Sequence, residues 1–252
     1  MKINIWTKKI KSNFNEAAQS YSEYCLIQKY FSKQIINILL GLNIPDGDWF
    51  DLGAGPGLLA DDIEKYFLKK KVARLDFSNK MLLLNKKGSK KILWDLNKGL
   101  HPLIKNPSLL VSNFCIHWLN EPEKNLDKWF KNLNKGGKLI ISYPTNNSFP
   151  EWKKTCKDCD IEYTGLVFPE VKNMIKNFSN NEIYTSKIYS YKENYPNIYE
   201  LFRSIIKVGA QSSKREKNSI KVFKKLAKYW PTEKNNTVNL SWEINILVLQ
   251  KI

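Results

Sequence analysis

Long apolar runs are missing from this chain. No stretch of about 18 consecutive apolar residues occurs in its 252, which argues against a membrane-spanning helix and against a membrane partner. The opening Met1-Lys2-Ile3-Asn4-Ile5-Trp6 has neither the apolar segment nor the small-residue cleavage site of an export signal, so a cytoplasmic protein is expected. Cysteine and histidine are scarce, at four and two. Cys156-Lys-Asp-Cys159 has no second Cys/His pair near it, and His101 and His117 do not complete a zinc set. Nor is the context that of a redox C-x-x-C, so four reduced thiols (Cys25, Cys115, Cys156, Cys159) and no metal are expected. No internal repeat and no linker rich in Gly, Ser or Pro divides the chain, and a single domain, monomeric, is expected.

Negative charge is short as well. Asp and Glu number 24 against 41 Lys and Arg, a net charge of +17. Two origins fit: a drift of composition, since Lys, Asn and Ile are abundant throughout, or an acidic partner. The basic clusters Lys69-Lys70-Lys71, Lys86-Lys87, Lys90-Lys91, Lys214-Arg215 and Lys224-Lys225 are dispersed, and Arg is rare beside Lys. Proteins that read nucleic-acid sequence lean on Arg, so nucleic acid is not the expected partner.

What is present is enough to build a core, because 42% of the residues are hydrophobic. Residues 14–42 carry apolar positions at helical spacing, with Gly41 near the end and Pro45 beyond it. Strands then alternate with helices: strand 48–51, helix 57–68, strand 71–76, helix 78–87 with Ser78 as N-cap, strand 91–95, strand 109–113, helix 122–133 and strand 138–143. That alternation implies an α/β fold, a mostly parallel sheet covered on both faces. Residues 151–180 read as helical and loop-rich. Ile183–Tyr191 and Ser241–Leu249 read as strands flanking helices Ile198–Val208 and Ile220–Lys228, and are expected to form an antiparallel edge.

The most telling stretch is Asp-Trp-Phe-Asp-Leu-Gly-Ala-Gly-Pro-Gly over 48–57. An apolar strand ends in Asp51. A turn follows with Gly53, Ala54, Gly55 and Gly57, where a ligand can lie against bare peptide. The spacing is G-x-G-x-G, not the dinucleotide G-x-G-x-x-G, and no phosphate-seeking lysine follows as in a P-loop. Asp51 also disfavours a phosphate, since like charges would meet. An acid-flanked glycine turn suits a cationic nucleoside, and S-adenosylmethionine is one. Later strand ends repeat a polar-then-apolar pair: Asp76-Phe77, Asp95-Leu96 and Asn113-Phe114. Such pairs suit adenosine, polar at its edges and apolar on its faces. Asp76 is expected at the ribose hydroxyls, Phe77 on an adenine face and Asp95 at the adenine amino group; the competing role for Asp95 is a turn cap before Asn97.

These features resemble the Rossmann-like S-adenosylmethionine-dependent methyltransferases over about residues 44–145. The resemblance implies a cofactor-binding core there, an N-terminal helical lid over 1–43, and substrate-side insertions and edge strands over 146–252, the last strand antiparallel. The flanks narrow it further. Phe14-Asn15-Glu16-Ala17-Ala18-Gln19-Ser20-Tyr21 with Leu26-Ile27-Gln28, Ser112-Asn113 through Trp118, Leu201 through Ala210, and Ser241-Trp242-Glu243-Ile244 resemble segments of the malonyl-acyl carrier protein O-methyltransferases of biotin synthesis. His117 stands where that family has Gln, and 151–195 diverges from it. The resemblance implies methyl transfer to the free carboxylate of a malonyl thioester on an acidic acyl carrier protein. It adds Gln28 to the cofactor-binding set. Tyr21 and Arg203 are the candidates to hold the carboxylate, Tyr21 against the simpler role of a core aromatic and Arg203 against that of a solvated helix face. Methylation of another small acid or a quinone precursor shares the cofactor half of this reading. Nucleic-acid amino methylation fits less well, because the Asn/Asp-Pro-Pro-aromatic segment it commonly uses is replaced by Asn113-Phe114-Cys115-Ile116.

Overall fold

Short apolar runs alternate with amphipathic segments, and a computed structural model shows the sheet they build; it describes residues 5–211 and 220–252. The strands are β1 (Trp49–Leu52), β2 (Val72–Asp76), β3 (Lys91–Leu93), β4 (Leu109–Asn113), β5 (Lys138–Pro144), β6 (Ile183–Tyr195) and β7 (Val238–Gln250). They form one sheet in the order β3-β2-β1-β4-β5-β7-β6. β1 to β5 are parallel, and β7 runs antiparallel to both its neighbours. The strand order reverses between β1 and β4, the point where an open α/β sheet leaves a crevice for ligands.

The helices are α1 (Ile5–Tyr24), α2 (Leu26–Leu39), α3 (Leu58–Tyr66), α4 (Asn79–Leu83), α5 (Pro122–Lys131), α6 (Pro150–Asp158), α7 (Val171–Ile175), α8 (Ile198–Lys207) and α9 (Ile220–Tyr229). Alternation along each strand sends side chains to two cores. Phe50, Leu52, Leu75, Leu110 and Ile141 pack with Trp129 of α5 on one face. Trp49, Leu109, Val111 and Ile140 pack with Phe31 and Ile35 of α2 and Ile63 of α3 on the other. A third cluster, including Trp152, Leu201, Leu226, Trp230 and Leu240, binds α6, α8 and α9 over the start of β7. Among the described residues no helix is long and apolar enough to cross a membrane.

The expected helix over 14–42 is two helices, broken at Cys25, and the first starts at Ile5. Lys8, Lys9 and Lys11 dilute the apolar stripe at the start of α1, yet Trp6 and Ile10 are buried. The break lets α1 pack against α4 and α8 while α2 lies against α3 and the sheet. β6 and β7 run longer than their apolar cores because cross-strand pairing carries polar residues such as Lys192 and Asn194 on to the Tyr195–Val238 pair. The basic pair Lys214-Arg215 lies outside the described residues.

Arg74 of β2 fixes α3 to the sheet. Its side chain is fully buried, and Nη2 reaches Asp61 Oδ1 at 2.6 Å and Glu64 Oε2 at 3.1 Å. Removing it empties a buried site and leaves Asp61 to Lys86 alone and Glu64 to the Val72 N–H. Arg74→Ala is expected to lower stability by about 3 kcal/mol, read from the urea unfolding midpoint.

Candidate active site

The turn after β1 is tied to the sheet by its own backbone. Gly53 and Ala54 N–H both donate to the Leu75 carbonyl at 2.8 Å, and Asn85 Nδ2 donates to the Gly55 carbonyl at 2.8 Å. The three glycines serve different ends. A Cβ at Gly53 would lie 2.2 Å from Cys115 Sγ, and one at Gly57 would lie 2.1 Å from Asn85 Oδ1. A Cβ at Gly55 would meet nothing within 4 Å, so that peptide faces open space.

Asp76, at the end of β2, holds the turn from the other side. Oδ2 accepts from Gly55 N–H at 2.9 Å and Oδ1 from Ser78 N–H at 2.7 Å. Burial raises its carboxyl to about 6, against the lowering pull of those N–H groups and of Phe77 N–H. Ser78 caps α4 by accepting from Met81 N–H, and its hydroxyl donates to Asn15 Oδ1 at 2.7 Å. The glycine turn, α4 and α1 are thereby joined through two side chains.

A cavity of about 70 Å³ lies over the turn, lined by Gly53, Gly55, Asp76, Phe77, Asp95, Leu96 and Asn113. Phe14 and Tyr21 of α1 close it. A second cavity of about 560 Å³ shares Phe14, Tyr21, Phe114 and Trp118 with the first. Its wall is mainly aromatic and includes Trp152, Phe202, Phe223 and Trp242; Gln28 and Arg203 line it too. Phe114 stands at the junction with a left-handed backbone (φ 56°), a strain of about 1 kcal/mol that aims its ring between the two cavities.

Asp51, Ala54 and Gly57 do not line either cavity. Asp51 is buried beneath the turn, its carboxyl raised to about 7 by burial and held down in part by the charge of Arg74. Gly57 is spent on contact with Asn85, a residue without any signal in the sequence. Asp95 lines the cavity and also caps the short 3-10 turn Leu96–Lys98, accepting from Asn97 N–H at 3.0 Å. Asn113 donates to the Gln28 backbone carbonyl at 2.9 Å and accepts from Ser142, while Gln28 Oε1 is buried with no partner among the described residues.

Tyr21 lines both cavities, and burial, then the neighbouring Cys25 and Asp76, push its hydroxyl up, so it stays a proton donor. Arg203 stands exposed on α8, 3.3 Å from Glu200, with its side chain on the rim of the larger cavity. His117 is buried among Phe114, Trp118 and Phe168, and burial lowers it to about 3, so it is a neutral ring. The four cysteines are free thiols. Among the described residues no group of three or more His, Cys, Asp or Glu is placed to hold a metal ion.

A family described as a methyltransferase domain matches residues 24–180. A protein of Ilyobacter polytropus named malonyl-[acyl-carrier protein] O-methyltransferase 2 is 26% identical, over 82% of each chain. One of the same name from Coxiella burnetii is 24% identical over 100% of this chain and 99% of its own. The crystal structure of a putative methyltransferase from Bacillus halodurans is similar in fold, with a TM-score of 0.60 at 12% identity, over 87% of this chain and 98% of that one.

The unequal surroundings of the glycines can be measured. Gly57→Ala is expected to destabilise by about 3 kcal/mol, since both φ (90°) and Asn85 oppose a methyl group. Gly55→Ala is expected to cost only about 1 kcal/mol, from its φ of 54° alone. Thermal unfolding of the two variants separates the cases.

Proposed function

This chain belongs to the methyltransferase-domain family and is an S-adenosylmethionine-dependent methyltransferase, and on that premise we propose that it methylates the free carboxylate of a malonyl thioester carried by an acidic acyl carrier protein. The observation that carries the reading is the pair of joined cavities: a small one at the glycine turn that presents the carboxylates of Asp76 and Asp95 among apolar side chains, and a large aromatic one that meets it at Tyr21.

The donor set fits the cofactor. Asp76 keeps lone pairs for two ribose hydroxyls beyond the two N–H groups it already accepts. Phe77 and Leu96 offer apolar faces to an adenine, Asp95 an acceptor, and the orphaned Gln28 Oε1 an acceptor for an ammonium group. Gly55 leaves bare peptide, Gly53 packs under Cys115 with Ala54 between the two glycines, and Asn113 holds the Gln28 backbone in place. Asp51 and Gly57 act from behind the wall, one by charge and the other by packing. When bound, S-adenosylmethionine supplies a methyl group on a sulfonium leaving group.

The chain's own residues then have little chemistry to perform. A carboxylate is already an anion near neutral pH, so no general base is needed. Tyr21 donates a hydrogen bond to that carboxylate, and Arg203 supplies the counter-charge from the rim. The aromatic wall excludes water and holds the acceptor in line. Methylation masks the charge of the malonyl end, as the reaction of the similar O-methyltransferases would require.

Labelled S-adenosylmethionine offered with malonyl-carrier protein, malonyl-CoA or free malonate tests this directly. Ester is expected to form fastest on the carrier protein, and no ester on any of the three would overturn the reading. Arg203→Ala is expected to cut transfer about 100-fold while cofactor affinity changes less than about twofold. An equal fall in both would remove Arg203 from the substrate site.

Acid pH should weaken cofactor binding. The free Asp76 titrates at about 6 and Asp51 at about 7, and a cationic ligand prefers both ionised. Binding must expel one proton between pH 7 and 6 and two below pH 6, so affinity is expected to fall by up to about tenfold per pH unit in the first range and up to about a hundredfold per unit in the second. Calorimetric titration at pH 7.5 and 5 checks the sign.

A further inference from the structure

The larger cavity has one exposed rim. Of its lining residues, those exposed to solvent are Tyr199, Arg203 and Ile206, all on α8. α9 lies beside that rim. Phe223 of α9 packs edge-on against Tyr199 and Phe202 of α8, at 5.5 and 5.3 Å between ring centres, and Leu226 is buried in the cavity wall.

The opposite side of α9 is a row of lysines. Lys221, Lys224, Lys225 and Lys228 are all exposed, at the i, i+3, i+4, i+7 spacing of one helix face, and the helix holds no acidic residue. Among the described residues none of the four forms an ion pair. Lys225 donates to the Cys159 carbonyl at 2.7 Å and so ties α9 to α6. The nearby carboxylates Glu200 and Asp158 are already taken by Arg203 and Lys154. Like charges crowded on one face cost stability unless something offsets them. Here they lie on the helix that packs beside the exposed α8 rim.

The geometry points to α9 as the docking face for an acidic carrier protein, whose negative surface sits on Lys221, Lys224 and Lys228 while its acyl arm crosses the α8 rim. The assignment rests on the carrier-bound substrate proposed above and adds where that carrier sits. A membrane surface fits less well, because Phe223 and Leu226 of α9 are committed to the cavity wall and the exposed Ile220 and Tyr229 stand at opposite ends of the helix. Nucleic acid would call for a tract of phosphate contacts, whereas this row covers a single short helix.

The test is the triple variant K221E/K224E/K228E, with Lys225 left in place. Initial rates are measured on malonyl-carrier protein and on malonyl-pantetheine, which has the arm without the protein. Transfer to the carrier-bound substrate is expected to fall about 10-fold or more in kcat/KM, with the loss in KM, and transfer to malonyl-pantetheine to change less than about twofold. The wild-type rate on carrier protein is expected to fall with added salt, and the variant's to be nearly flat. An unchanged carrier rate, or an equal loss on both substrates, overturns the assignment. So does loss of binding to anionic vesicles or duplex DNA with carrier turnover intact. Should the wild type methylate neither thioester, the reaction reading fails; titrating carrier protein into wild type and variant then still decides the surface, with about 10-fold weaker binding to the variant expected and equal binding overturning it.

Discussion

One buried carboxylate organises the ligand end of the sheet. Asp76 lies at the end of β2 with little access to water, which opposes its charge, and two backbone N–H groups at hydrogen-bond distance favour that charge. The two pulls leave it near 6, an acid that titrates close to neutrality. Both oxygens are fixed in direction by the same bonds. Through Gly55 it sets the glycine turn; through Ser78 it sets the start of α4; and the Ser78 hydroxyl carries the constraint to Asn15 on α1. Position, charge and the placement of the covering helix follow from one side chain.

The remainder of the site is assembled from segments far apart in sequence. β1, β2, β4 and β5 are buried on both faces by two cores. The aromatic chamber draws on α1 and on α6, α8, α9 and β7, the last four joined by a third core. Small movements of these helices can alter the chamber without disturbing the sheet, because few residues belong to both clusters.

Where the sequence could be read, the reason was local. The alternation over 48–143 yields strands and helices within a few residues of those expected, since apolar runs buried on both faces leave a continuous signal. Ser78 caps α4 as its type and place suggest. The antiparallel edge is also as expected, with β7 antiparallel to both β5 and β6. What was hidden depends on distance. Nothing near Gly57 reveals that Asn85 fills the space a side chain would need. Asp51 reads as a site acid from its position at a strand end, but the strand pleat points it under the turn toward Arg74. Asp95 reads equally as ligand or cap, and its carboxylate both caps and lines. Trp152, Phe202 and Trp242 lie in stretches with no shared motif, so only folding brings them to one wall.

The chain breaks its first long helical stretch at Cys25, and the piece before the break lies across a cavity of about 70 Å³. Pockets for small-molecule ligands typically need about 300 Å³ or more. α1 is held over that cavity by Phe14 on Phe77 and Trp118 and by Asn15 on Ser78. Any opening of that segment would break these contacts together. The tempo of turnover can then be governed by how often a helix lifts, rather than by how fast a bond to sulfur is broken.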